Sequence, residues 1–163
     1  MKELQGLSLR NVRVSLYHAG KKEQEAFGEM LFTHFGVTGP IILQLSRRAS
    51  ELFSAGSEKL ELRLNLKPAL THEVLRDRVD RDFAEYQRKY LRNAMIDLLP
   101  KRLINPVLNA AGLSPDVFAG QVSAKKCEHL VHMLQSLSMT IIGTRPIAEA
   151  IVTAGGVETA EIN

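Results

Sequence analysis

The chain has 163 residues, 45% hydrophobic and 24% charged, with a formal net charge of +3. That composition belongs to a folded globular chain, excludes a disordered one, and leaves room for one ordinary domain or two small ones. No apolar run nears the ~18 residues of a membrane span and residues 1–6 carry no apolar signal-peptide core, so a cytoplasmic location and no membrane partner are expected.

Leu7 and Leu9, then Val12, Val14 and Leu16, alternate with polar neighbours, which predicts a half-buried strand over residues 7–17. His18, Ala19, Gly20, Lys21 and Lys22 supply turn chemistry, and residues 26–33 read as a second strand returning antiparallel, so a hairpin is expected. After Gly36, the order Thr38, Gly39, Pro40 ahead of Ile41, Ile42, Leu43 and Leu45 predicts a helix start. Pro40 takes the first helical position, where a missing N–H costs nothing. Arg47 and Arg48 then fall toward the negative end of the helix dipole, with Gly56 as the stop. Leu60, Leu62, Leu64 and Leu66 alternate in a third strand.

Lys67 and Pro68 mark a boundary, beyond which the period changes. From Thr71, the recurrence of Leu75, Val79 and Phe83 predicts an amphipathic helix. A second helix is expected to carry Leu91, Met95, Leu98 and Leu99, and a third, after Pro100, to carry Leu103, Val107 and Leu108. Ser123 is placed to cap a fourth through Leu130 and Leu134. Strand character returns over residues 138–143, 150–153 and 157–162. The expected fold class is therefore α+β: a β-barrel-like module of residues 1–67 and 137–163, interrupted by a small helical module of residues 68–136.

Most catalytic signatures are missing, including the glycine-rich strand-to-helix turn through which backbone N–H groups approach a dinucleotide pyrophosphate. The single cysteine, Cys127, has no partner for an internal disulfide and reads as a packing thiol. His129 and His132 have an i, i+3 spacing without a third ligand nearby, so no metal site is expected. His34, between Phe32 and Phe35, is either a proton donor or a side chain locking its turn. The helix start at Pro40 either holds an anion or is capped in the ordinary way. Gly155 and Gly156 either make a tight turn or let another group approach bare backbone. Arg88, Lys89, Arg92, Lys101 and Arg102, relieved only by Asp97, form the best basic cluster and read as a solvated helix face, with nucleic acid as the competing reading.

Residues 28–40 resemble, nearly letter for letter, the G-E-x-L-F-T-H-F-G-x-S-G-P motif of the BaiN-like (YhiN-like) bacterial flavoproteins, NAD(P)/FAD-dependent oxidoreductases. Residues 4–12 look like that family's L-x-G-L-S-L-x-x-V, and residues 41–47 like its A-I-L-Q-L-S-R. Residues 143–162 resemble its G-x-R-x-x-x-x-A-x-V-T-x-G-G-V-x-x-x-E-I segment. Thr38 stands where the family commonly has Ser, and Ile147 where Phe is common.

The resemblance implies an insert, with β-barrel-like and helical parts, that sits inside a split FAD-binding Rossmann-like domain of a longer parent chain. On that reading Met1 is not a natural start, and the isolated insert is catalytically silent and binds no FAD tightly. It also implies that Thr33, His34, Gly36, Thr38 and Gly39 on one turn, and Arg145, Thr153, Gly155 and Gly156 on another, face substrate or flavin. His34 is the one catalytic candidate. The substrate of the parent would be a small molecule that receives a hydride from a nicotinamide cofactor by way of FAD. A stand-alone module contacting nucleic acid through the basic helical face is the alternative.

Overall fold

The computed structural model describes residues 2–145. Strand β1 (Ser8–His18) carries two apolar sets of opposite phase: Leu9 is buried, and so are Val12, Val14 and Leu16. Uninterrupted pleating would turn one set to solvent. The chain inserts an extra residue, three steps from Leu9 to Val12 against two from Met30 to Gly28 on the partner strand, and Asn11 takes a left-handed φ of 55° there. The resulting β-bulge keeps both sets inside. Strand β2 (Lys21–Phe32) returns through a two-residue turn in which Ala19 and Gly20 both have positive φ, the geometry that matches strand twist. It begins at Lys21, five residues earlier than expected, because the turn is as short as a hairpin allows.

β2 hairpins again into the short β3 (Val37–Thr38), and Gly39 leads into helix α1 (Pro40–Ser54) with Pro40 in its first turn. The helix buries Ile41, Leu45, Ala49 and Leu52. Arg47 and Arg48 lie just past the middle of α1. Both pair with Glu51, and Arg48 also reaches Glu23 of β2 at 2.7 Å. Strand β4 (Leu60–Asn65) buries Leu60, Leu62 and Leu64 on one face, and β5 (Leu137–Ile141) pairs with it. The order β3-β2-β1-β4-β5, antiparallel throughout, makes a curled half-barrel. The expected strands over residues 150–153 and 157–162 lie outside the described residues.

Helix α2 (His72–Glu85) starts at Thr71, whose hydroxyl accepts from the Val74 N–H at 3.3 Å, and buries Leu75, Val79 and Phe83. Helix α3 (Leu91–Ala94) is a correction. The expected helix through Leu99 stops after four residues, although Met95, Leu98 and Leu99 stay buried. Successive turns with i→i+3 bonds, Ile96 to Asn93 and Leu98 to Met95, keep an apolar spacing like that of a helix. Pro100 then pushes Leu99 away from helical geometry. Helix α4 (Lys101–Ala110) and helix α5 (Ala124–Gln135) follow, the latter capped by Ser123 on the Lys126 N–H. The core joins the inward faces of the sheet to Leu103, Leu108, Leu130 and Leu134 of the helices. Leu66, just past β4, donates its N–H to the Leu134 carbonyl at 2.9 Å. The fold is α+β, a barrel-like sheet with a helical part.

Candidate functional site

The turn of residues 33–36 joins β2 to β3 and is closed by the Thr33 N–H on the Gly36 carbonyl at 2.8 Å. Around it, the residues of the sequence motifs separate into two groups. One group holds the scaffold. Gly6 donates to the Phe32 carbonyl at 2.7 Å and Phe32 to that of Leu7 at 2.9 Å, so the N-terminal segment lies beside the end of β2. Ser8 donates to Glu29 at 2.6 Å across the β1–β2 pair. A Cβ on Gly28 would lie 2.8 Å from Cγ2 of Ile41, and one on Gly39 would lie 3.0 Å from both the Glu29 carbonyl and the Met30 Cα. These two glycines let the first turn of α1 rest on the backbone of β2.

The other group has no such duty. His34 is exposed, with its ring edge-on to Phe35 at 4.9 Å. Phe35 is 47% exposed, and the guanidinium of Arg145 lies over it at 4.4 Å from the ring centre. The Thr33 hydroxyl oxygen is buried and has no hydrogen-bond partner among the described residues. Thr38 is half-buried on β3. Arg145 thus reaches the first turn through Phe35, whereas Thr153, Gly155 and Gly156 lie outside the described residues. Gly36 and Gly39 act through backbone: Gly36 closes the turn and Gly39 occupies the N-cap of α1. No side chain caps α1, whose N-cap is Gly39. Phe35, which the sequence reading did not single out, is the large apolar side chain exposed on this turn.

The other candidates fall elsewhere. Cys127 is buried in the core, and desolvation followed by the Asp80 charge pushes its thiol up. The rings of His129 and His132 stack at 6.5 Å, and among the described residues no three acidic, His or Cys side chains are grouped to hold a metal. Two members of the basic cluster are engaged within the chain. Arg102 turns away to donate to the carbonyls of Glu3, at 2.9 Å from Nε, and Gln5, at 2.7 Å. Arg92 pairs with Asp116. Lys67, half-buried between the sheet and α2, has its ammonium lowered by desolvation and then by Arg78. No helix among the described residues is long and apolar enough to cross a membrane.

A curled antiparallel sheet joined to short helices is the architecture of a barrel-like module with a helical part. Residues 1–152 match the family described as HI0933-like protein barrel and H2TH domain, and the chain belongs to it. It is similar to a ribosomal RNA dihydrouridine synthase of Escherichia coli, 30% identical over 136 residues, covering 82% of this chain and 31% of that protein. The protein of the same description from Haemophilus influenzae is 26% identical over 137 residues, 84% of this chain and 31% of its own length. A 3-dehydro-bile acid delta(4,6)-reductase of Clostridium scindens is 25% identical over 138 residues, 85% of this chain and 34% of its own. The chain therefore spans about a third of the length of these relatives.

Proposed function

We propose that this chain is the inserted barrel and helical part of a longer cytoplasmic FAD-dependent oxidoreductase, with residues 1–67 and 137–163 as the β module and 68–136 as the helical one. Its partner is the FAD-binding Rossmann-like domain of the same parent. The observation that carries the reading is the sorting of the motif residues. Once those that hold the scaffold are set aside, Thr33, His34, Phe35 and Arg145 remain at one turn, with Thr38 on the adjoining β3. The segments that reach this turn, Gly6 and Leu7 beside Phe32 and Arg145 over Phe35, come from opposite ends of the described chain.

Flavin, when bound in the parent, supplies the hydride. The relatives are named for related outcomes, a dihydrouridine and a delta(4,6) reduction. In such reductions negative charge gathers on the carbonyl oxygen conjugated to the double bond, and a proton must follow. The residues at the turn fit that need: an orphaned buried hydroxyl and a guanidinium to donate to an oxygen, and an exposed imidazole to deliver the proton. The scaffold glycines hold the turn still, which is the protein's share of the work when a cofactor carries the chemistry.

The test is the gene's complete reading frame, expressed and purified. The expected protein shows the visible absorption of bound flavin and oxidises a nicotinamide cofactor. Replacing His34 by Ala lowers kcat by about 10²–10⁴-fold if it delivers the proton. A colourless protein sinks the proposal, and unchanged kinetics with lower thermal stability makes His34 a turn lock. A free-standing nucleic-acid module built on the five basic residues would have to share Arg102 with the N-terminal backbone carbonyls and Arg92 with Asp116.

A further inference from the structure

The helical half joins the sheet through two connectors, residues 66–71 leading from β4 into α2 and Ser136 leading from α5 into β5. Two ties hold these connectors to each other. In the first, the Leu66 N–H donates to the Leu134 carbonyl at 2.9 Å. The second runs through side chains. Gln135, the last residue of α5, donates its amide NH2 to the Leu70 carbonyl at 3.1 Å. Its amide oxygen lies 3.1 Å from Nδ1 of His72, the first residue of α2, and Nε2 of the same ring lies 2.5 Å from Oε1 of Glu128.

This second tie admits one protonation state. The Leu70 carbonyl can only accept, so it draws the Gln135 NH2 toward itself and leaves the amide oxygen facing His72. Glu128 is also an acceptor only: Arg76 donates to its other oxygen at 2.7 Å, and the bonds from His72 and then Arg76 hold its carboxyl below the ordinary 4.5. Both ring nitrogens of His72 therefore face acceptors, and the imidazolium alone has an N–H for each. A cation on the first residue of a helix is set against the dipole, so the acceptors favour the charge and the helix does not. The charged groups facing the ring are Glu128 from α5 and Glu73 from its own α2, and they raise the imidazole alongside the bonds to Glu128 and Gln135. Arg76, held by Asp80 at 2.8 Å, stands on the far oxygen of Glu128.

We propose that His72 is a proton-operated latch at the neck of the helical half: charged, it joins α2 and the incoming connector to the end of α5, and neutral, it lets Gln135 go. A neutral ring keeps a single N–H. The shorter bond to the Glu128 carboxylate retains it, because a bond to a charged acceptor is about twice as strong as one to a neutral amide. Nδ1 is then a bare acceptor facing the Gln135 oxygen. Gln135 must move off, or turn its amide over and abandon Leu70. Either way the second tie opens while the bond from Leu66 to Leu134 stays, and a neck held at one point in place of two can hinge. The latch stands on this geometry and is independent of the chemistry proposed for the turn at Thr33.

The test is NMR of this chain, labelled with nitrogen-15, from about pH 5 to 9, either side of the ordinary histidine range. Both His72 ring nitrogens are expected to carry protons at the acid end, to titrate with a midpoint above 6.5, and to leave a neutral ring protonated at Nε2. The Gln135 side-chain NH2 resonances are expected to move with the same midpoint. Hydrogen-exchange protection, taken relative to the intrinsic rate at each pH, is read at the Leu66 amide and at the Leu75 amide, which closes the first turn of α2 on Thr71. It is expected to fall by about 2- to 12-fold across that midpoint, the loss of one hydrogen bond, while the amides of β1 keep theirs. In Gln135→Leu the step in protection is expected to vanish and the His72 midpoint to fall toward 6.5. A wild-type midpoint at or below 6.5, a neutral ring protonated at Nδ1, or Gln135 resonances that ignore the titration overturns the proposal. So does a step of equal size in Gln135→Leu. The wild-type titration decides by itself if that variant does not fold.

Discussion

The Arg145 guanidinium rests on the Phe35 ring at 4.4 Å, joining two motif segments that are more than a hundred residues apart in the chain. The contact is exposed, and a cation on a ring in that setting is worth about 0.5–1 kcal/mol. Phe35→Ala is therefore expected to lower unfolding stability by no more than about 1 kcal/mol, read from the urea midpoint at constant slope. A loss above about 3 kcal/mol would make Phe35 a core residue and remove it from the site, because that is the cost of emptying a packed position.

Gly39 carries a heavier burden. Its φ of 108° is left-handed, and β2 backbone lies where a side chain would go. Gly39→Ala adds backbone strain of about 1–3 kcal/mol to overpacking of similar size. Gly56, with φ 98° and open space around it, is the control that carries strain alone. The expected order in denaturant unfolding is wild type, Gly56→Ala, then Gly39→Ala, with at least about 2 kcal/mol lost in the last. Equal losses at both glycines would show that the close approach of α1 to β2 contributes nothing.

His72 links α2 to α5. Its Nε2 lies 2.5 Å from Glu128 and its Nδ1 lies 3.1 Å from Gln135. The hydrogen bond to Glu128, then that to Gln135, raises the imidazole above its ordinary 6.5. A raised pKa gives stability that is complete below about 6.5 and is lost as pH climbs through the folded value. Hydrogen bonds from His72 and then Arg76 hold Glu128 below its ordinary 4.5, so its share is present above about 4.5 and fades as pH falls through the lower folded value. The Tm gap between wild type and His72→Gln is expected to be widest between about pH 4.5 and 6.5 and to close as pH rises through the raised imidazole value. A gap that stays constant with pH would reduce the contact to shape alone.

How far the sequence shows this architecture depends on whether the deciding interaction is local. The β1 alternation slips phase between Leu9 and Val12, and that slip is the bulge at Asn11. Thr71 and Ser123 stand where caps belong and do cap. The false extension of α3 arises because turns and a helix share a spacing over so few residues, so Leu91, Met95, Leu98 and Leu99 satisfy both. Nothing local in Tyr90 or Phe118 shows that they bridge and stack, since their pairing is set by the meeting of two loops. The same holds for Arg102, whose partners are the carbonyls of Glu3 and Gln5 near the other end of the chain. The motif turn was legible as a unit. The division of its residues between scaffold and site required the distances that separate Gly28 and Gly39 from their neighbours.

Thr33 offers the sharpest separation of fold from function. A buried hydroxyl without a partner costs stability, and exchanging it for a methyl of the same shape removes that cost. Thr33→Val is therefore expected to leave the Tm unchanged or raise it. If the hydroxyl donates to a ligand oxygen, the same change removes a hydrogen bond worth about 0.5–1.5 kcal/mol, roughly a 2- to 12-fold loss in kcat/KM of the full-length enzyme. Thr33→Ser, which keeps the hydroxyl, should restore the rate. A variant that loses stability and activity together would mean that the hydroxyl serves the fold, and the site would then rest on His34 and Arg145.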